Sequence, residues 1–93
     1  MIMAGRRTAY EIYWEILVFC KTPRTFTAII GRCDLNSKTG QEHLGFLIDR
    51  GYLTPDKDGE RSRYISSERS DEYIALFSRL YQGLYDTIPG FRL

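Results

Sequence analysis

Side chains able to act as nucleophiles, general bases or metal ligands are few in this 93-residue sequence. Cys20, Cys33 and the single histidine, His43, stand at no spacing that recurs in nucleophile and base pairs, and no Walker loop or GxGxxG run accompanies them. Two cysteines without a CxxC pair make neither a zinc site nor a thioredoxin-like site, and are too few for a secreted disulfide scaffold. The stretch Asp56-Lys57-Asp58-Gly59 has the acids of a calcium loop, but Thr54 and Ile65 occupy the positions of the first ligand and the closing glutamate, so it reads as a turn. No catalysis, metal or cofactor is expected. What remains is the chemistry of charge and hydrogen bonding. Thirteen Lys and Arg against twelve Asp and Glu give a net charge of +1, which excludes a polybasic tail protein. The charge is uneven, however: Lys21, Arg24, Arg32 and Lys38 surround one acid, Asp34, while Lys57, Arg61 and Arg63 alternate with Asp56, Asp58 and Glu60.

These groups have to be carried by one domain, because 93 residues with 43% apolar and 27% charged content suit a single packed unit. So short a chain buries a modest fraction of its surface, and oligomerisation is a common way to bury more. The longest apolar run, Ile16 to Cys20, lies between Glu15 and Lys21 and is far below the roughly 20 residues of a membrane span. Met1 to Arg7 leads into no signal-like segment, so a cytosolic location is expected and no membrane contact.

The spacing Ala9, Ile12, Ile16, Phe19 and Cys20 predicts a first helix from Thr8 to about Lys21, ended by Pro23. A second apolar set, Tyr10, Tyr13, Trp14 and Leu17, lies on the same segment, so the helix needs two partners. Thr25 or Thr27 caps a second helix, Ala28 to Cys33, and Asn36 or Ser37 caps a third that runs to Arg50 with Gly51 just past its end. Its first turn is polar and its second half apolar, through Leu44, Leu47 and Ile48. Residues 52–66 alternate around Asp58-Gly59 and predict a hairpin. Ser67 or Ser70 then opens a long helix, to about residue 88, striped by Tyr73, Phe77, Leu80, Tyr81, Leu84 and Ile88 and closed by Pro89-Gly90.

Two short helices joined by a tight polar turn, followed by a hairpin, resemble the winged helix-turn-helix DNA-binding proteins, especially the small regulators of archaea and their viruses. The resemblance covers about Ala9 to Tyr73. It is carried by Leu35-Asn36, a leucine and polar cap opening the third helix, and by Leu47-Ile48-Asp49-Arg50-Gly51-Tyr52-Leu53, which closes it. Gly40 departs from the pattern, which places an apolar core residue there, and glycine loosens a helix by about 1 kcal/mol relative to alanine. The resemblance implies an α+β fold of three helices, a β-hairpin wing and a long C-terminal helix. The helix-turn-helix would span about 27–50, the wing about 52–66 and the last helix about 68–88. It implies no enzyme, but sequence-specific binding of double-stranded DNA by a transcriptional regulator, with the third helix in the major groove. The exposed start of that helix, Asn36, Ser37, Lys38, Thr39, Gln41, Glu42 and His43, then faces the DNA. Gln41 can pair with adenine, Lys38 with guanine or phosphate, Thr39 with a thymine methyl, and Glu42 with cytosine N4 or with Lys38. Arg61 and Arg63 would reach the backbone or minor groove from the second wing strand, with the wing acids turned away, and Arg24 adds a cation.

The doubly apolar first helix and aromatic last helix predict a homodimer through Tyr10, Tyr13, Trp14, Leu17, Phe77, Tyr81, Leu84, Tyr85 and Ile88. Two-fold symmetry would set the recognition helices about 34 Å apart, one DNA turn. An intrachain bond between Cys20 and Cys33 is expected to be strained, because the helix order predicts sulfurs about a helix length apart. Cys20, on the expected dimer helix, is instead a candidate for an interchain disulfide, with buried free thiols as the default. No small-molecule ligand is implied. The alternative reading is a winged helix serving as a protein interaction module in a transcription or replication assembly, which the weak net charge suits.

Overall fold

The first three helices of the computed structural model start where the sequence supplies a cap; residues 7–59 and 61–86 are described, without the side chains of residue 58 and of residues 84–86. α1 (Ala9–Phe19) opens on a capping box, in which the Glu11 N–H donates to Thr8 Oγ1 at 3.2 Å and the Thr8 N–H donates to the Glu11 carboxylate at 2.8 Å. A two-residue strand, β1 (Arg24–Thr25), leads directly into α2 (Phe26–Cys33), where Thr25 Oγ1 accepts from the Ala28 N–H. Thr25 rather than Thr27 is therefore the cap, and the helix begins two residues before the predicted Ala28. Asn36 caps α3 (Ser37–Asp49) by accepting from the Thr39 N–H at 2.8 Å. Gly51, at φ 82°, takes the left-handed position past its end.

The hairpin comprises β2 (Leu53–Asp58) and β3 (Arg61–Ser66), paired antiparallel from Leu53 with Ser66 to Asp58 with Arg61. Gly59 turns the chain at φ 66°. β3 is the central strand of the order β1-β3-β2, because Arg24 and Thr25 pair antiparallel with Tyr64 and Arg63. The connector expected between the first two helices thus contains a third strand, whose partner lies some forty residues away. Pro55 sits on β2, an edge strand, where a missing N–H is tolerated. α4 (Ser70–Asp86) completes the chain; of the two serines considered as its start, Ser70 is buried in the first turn and donates to the Ser67 carbonyl.

The core is where the four helices and the sheet meet. Ile16 and Leu17 of α1 and Cys20 at its C-cap pack with Ile29 and Cys33 of α2, Leu44 and Leu47 of α3, and Leu53 of β2, all essentially without solvent exposure. Ser66 fastens β3 to the end of α1, since its N–H donates to the Cys20 carbonyl and its hydroxyl to the Leu17 carbonyl. The Arg7 guanidinium holds α1 to α2 by donating to both the Glu15 carboxylate and the Cys33 carbonyl.

Three expectations change here. Leu17, assigned to the dimer face, is a core residue of the protomer. Gly40 does not loosen α3: it is buried, and a Cβ there would lie 2.5 Å from Ile30 Cγ2, so glycine is what lets α2 and α3 approach. The two thiols are not a helix length apart, since both belong to one core cluster and the Cys33 thiolate adds to the shift of Cys20. Both are free, and Cys20 is wholly buried, so it cannot meet its mate across a dimer axis without opening the core.

Burial pushes the Cys20 thiol up to about 12 and the Cys33 thiol to about 11 from an ordinary 9.0. Two outcomes are expected. Ellman's reagent at pH 8 should label the folded protein only as fast as it unfolds, and both thiols at once in denaturant. Because the folded values are raised, the stability these thiols contribute is complete below the unfolded value and is lost as pH climbs through the folded ones. Thermal melts should accordingly fall above about pH 9 and be less steep in Cys20→Ala.

Candidate nucleic-acid interface

α3 sorts its side chains by helical angle. Gly40, Leu44 and Leu47 face the core, whereas Lys38, Gln41, Glu42, Gly45 and Asp49 form a continuous exposed strip on the opposite side. Asn36 and Ser37 are exposed at the start of this strip, next to the N-terminal end of the helix dipole. Asn36 Oδ1 is engaged in the cap. Thr39 and His43 lie between the two faces and are half-buried. His43 meets the Tyr13 ring edge-on, centroids 5.3 Å apart, and Tyr13 stacks on Phe46 at 5.1 Å. The polar run predicted for one surface is therefore split, with Lys38, Gln41 and Glu42 outward and His43 against α1. Asn36→Ala, which leaves the Thr39 N–H without its acceptor, should lower stability by about 1 kcal/mol in a denaturant titration.

The hairpin stands beside this helix in the chain order, with Lys57 and Arg61 exposed. Arg63 is half-buried and donates to the Asp56 carboxylate at 3.2 Å, across a directly paired position of β2 and β3. That pair engages one of the wing cations with one of the wing acids. Arg24 is also anchored: its Nε donates to the Phe19 carbonyl at 3.0 Å and its guanidinium lies 4.1 Å from the Phe19 ring centroid. Two cations that the sequence reading left out, Arg50 and Arg69, are exposed over the rings of Phe46 and Tyr52. Arg50 was visible as the base of the helix-closing motif; Arg69 had no sequence signal.

A helix-turn-helix with an exposed polar strip, one short strand before it and a two-stranded hairpin after it is now complete, and residues 6–80 match the winged helix-turn-helix family. The chain belongs to that family. Its winged-helix structure is similar to that of Sso10a-2, a DNA-binding protein from Sulfolobus solfataricus, at 25% identity over 87% of this chain and 88% of that one, with a TM-score of 0.72. A homodimeric winged helix-turn-helix DNA-binding domain, Mb0332 from Mycobacterium bovis, aligns over 97% of this chain and all of its own at 18% identity and TM-score 0.68. A Staphylococcus aureus MepR variant bound to an oligodeoxyribonucleotide aligns over 91% of this chain and 64% of its own at 10% identity and TM-score 0.69. No curated protein matches the sequence significantly. The winged-helix fold is thus that of DNA-binding proteins and transcription regulators.

Within the winged-helix protomer, the expected dimer residues are largely engaged with one another. Trp14 packs against Phe77 and Tyr81 at 5.3 and 4.8 Å and donates to Ser78 Oγ at 3.0 Å, while the Tyr73 hydroxyl donates to the Tyr10 carbonyl. These contacts join α1 to α4. The most exposed large apolar side chains among the described residues are Leu76 and Leu80, one turn apart on α4 and 56% and 58% exposed, together with Tyr10 at 65%. The side chains of Leu84 and Tyr85, and Ile88 altogether, lie outside the described residues. No helix among the described residues is long and apolar enough to cross a membrane, and no cluster of His, Cys, Asp or Glu there could hold a metal.

Proposed function

We propose that this winged helix-turn-helix protein is a homodimeric transcriptional regulator that binds double-stranded DNA sequence-specifically, with α3 in the major groove and the hairpin along the backbone or minor groove. The observation that carries the reading is the exposed strip of α3, which presents Lys38 and Gln41 in adjoining turns beside an exposed polar helix start. Gln41 has the amide for adenine, and Lys38 the ammonium for guanine or phosphate. Arg61 and Lys57, exposed on the hairpin, supply backbone cations. The Leu76 and Leu80 stripe supports pairing with a second copy through α4, and the fold it shares with a homodimeric DNA-binding domain agrees with this.

The test is a preferred site selected from a random duplex pool, followed by titration of variants against that site and a scrambled one. Gln41→Ala should cost about 1–3 kcal/mol on the selected site and little on the scrambled duplex, whereas Lys38→Ala should weaken both. Full affinity in both variants on both duplexes rules out this face of α3.

The acids Glu42 and Asp49 on the same strip, against Lys38 alone, favour the second reading, a winged helix that docks on another protein of a transcription or replication assembly. Such an interface would respond little to salt, unlike phosphate binding.

A further inference from the structure

A concavity lined by three cations is found away from α3. It lies where the second half of α1, the α1–β1 connection and α2 come together, a cleft of about 430 Å³. That size falls in the range of small-molecule sites, roughly 300–1,000 Å³. Trp14, Val18 and Phe19 form an apolar wall, and Lys21, Arg24 and Arg32 stand around it. Arg24 and Arg32 have their guanidinium carbons 4.1 and 5.9 Å from the Phe19 ring centroid, so two cations lie close to one aromatic ring. Among the described residues neither forms an ion pair with a carboxylate: Glu15, the one acid in the lining, is bonded to Arg7, and Lys21 reaches Asp71 only at 4.0 Å with both side chains exposed.

Arg24 is fixed in place by its Nε bond to the Phe19 carbonyl, and that leaves its two terminal nitrogens as a preset fork. Such a fork matches the two oxygens of a carboxylate, and the aromatic wall beside it matches a flat apolar body. We propose that this cleft binds a small aromatic carboxylate, with the ring against Trp14 and Phe19 and the carboxylate between Arg24 and Arg32. This site stands apart from the DNA-binding proposal and does not depend on it.

Trp14 is the only tryptophan of the chain and lines the cleft, so its fluorescence reports occupancy in the unlabelled protein. Benzoate should change that fluorescence along a saturating curve. Benzamide, the neutral isostere, and inorganic phosphate, an anion without a ring, should each need at least about tenfold more, the effect of losing a charge-assisted hydrogen bond or the apolar contact. Arg32 is exposed on α2, so Arg32→Ala should keep the wild-type melting curve and weaken benzoate about tenfold. A linear, unsaturable response to benzoate, an equal response to benzamide or to phosphate, or unchanged benzoate binding in a folded Arg32→Ala protein would each overturn the assignment.

Discussion

Replacing Leu76 and Leu80 by glutamate is expected to convert the proposed dimer to a monomer while leaving each protomer folded. Both side chains are more than half exposed on α4, outside the aromatic packing that ties α4 to α1 through Trp14, Phe77 and Tyr81, so the protomer loses little. In the dimer each would be buried, which contributes about 1.5–3 kcal/mol per leucine, and two-fold symmetry counts every substitution twice. Four lost leucines and four buried carboxylates raise the dimer dissociation constant by more than about 10³-fold. Sedimentation velocity at micromolar protein should show the change from two chains to one, with the helical circular dichroism retained. DNA affinity should drop with it, since a single half-site contact remains. A double variant that still sediments as the wild type would move the interface off this stripe.

The second large effect concerns Gly40, and its sign is opposite to what helix propensity dictates. On an exposed helix, alanine in place of glycine stabilises by about 1 kcal/mol. At Gly40 the new Cβ meets Ile30 Cγ2 at 2.5 Å and the Phe26 ring at 3.4 Å. Cγ2 is bonded directly to a branched Cβ on α2 and cannot swing aside, so the two helices must separate. Overpacking of this kind costs about 1–3 kcal/mol, enough to reverse the propensity gain in Gly40→Ala and larger in Gly40→Val. One kilocalorie per mole shifts the melting temperature of a domain this size by about 4–8 °C, so calorimetry resolves the effect. Gly45 provides the contrast, because nothing lies within 4 Å of its Cβ position. Gly45→Ala should therefore raise the melting temperature, and Ile30→Ala should rescue part of the loss in Gly40→Ala through their direct contact.

Much of this architecture is local and could be read from the sequence. Thr8 with Glu11 three residues on, Asn36 before the third helix and Gly51 after it are signals that act within one turn, and each occurs where its chemistry places it. The departures arise from contacts between segments far apart in the chain. β1 is two residues long and exists because Tyr64 and Arg63 lie alongside it, which no pattern in Arg24-Thr25 announces. Gly40 looked like a weak point until Ile30 was seen across from it. The aromatic sets of the first and last helices were recognised as partners, but whether they met within one protomer or across two depended on the crossing of α1 and α4. In the protomer, Trp14 packs against Tyr81 and donates to Ser78 of α4.

The candidate site shows the same division. Lys38, Gln41 and Glu42 share a face because helical spacing alone puts them there, whereas His43 is held against Tyr13 of another helix. Arg63 and Asp56 alternate with other charges in the sequence, and only the strand register makes them a pair. The cleft at Phe19 assembles Trp14, Arg24 and Arg32 from three elements, so it has no sequence motif at all.

The central claim, that this winged helix-turn-helix protein binds duplex DNA, is tested most directly by fluorescence anisotropy of a random-sequence duplex at 50 and 200 mM salt. Six to ten phosphate contacts per dimer predict binding at the lower concentration that weakens by about 10³-fold or more at the higher. Absence of binding at 50 mM salt would contradict the account and favour the protein interaction module.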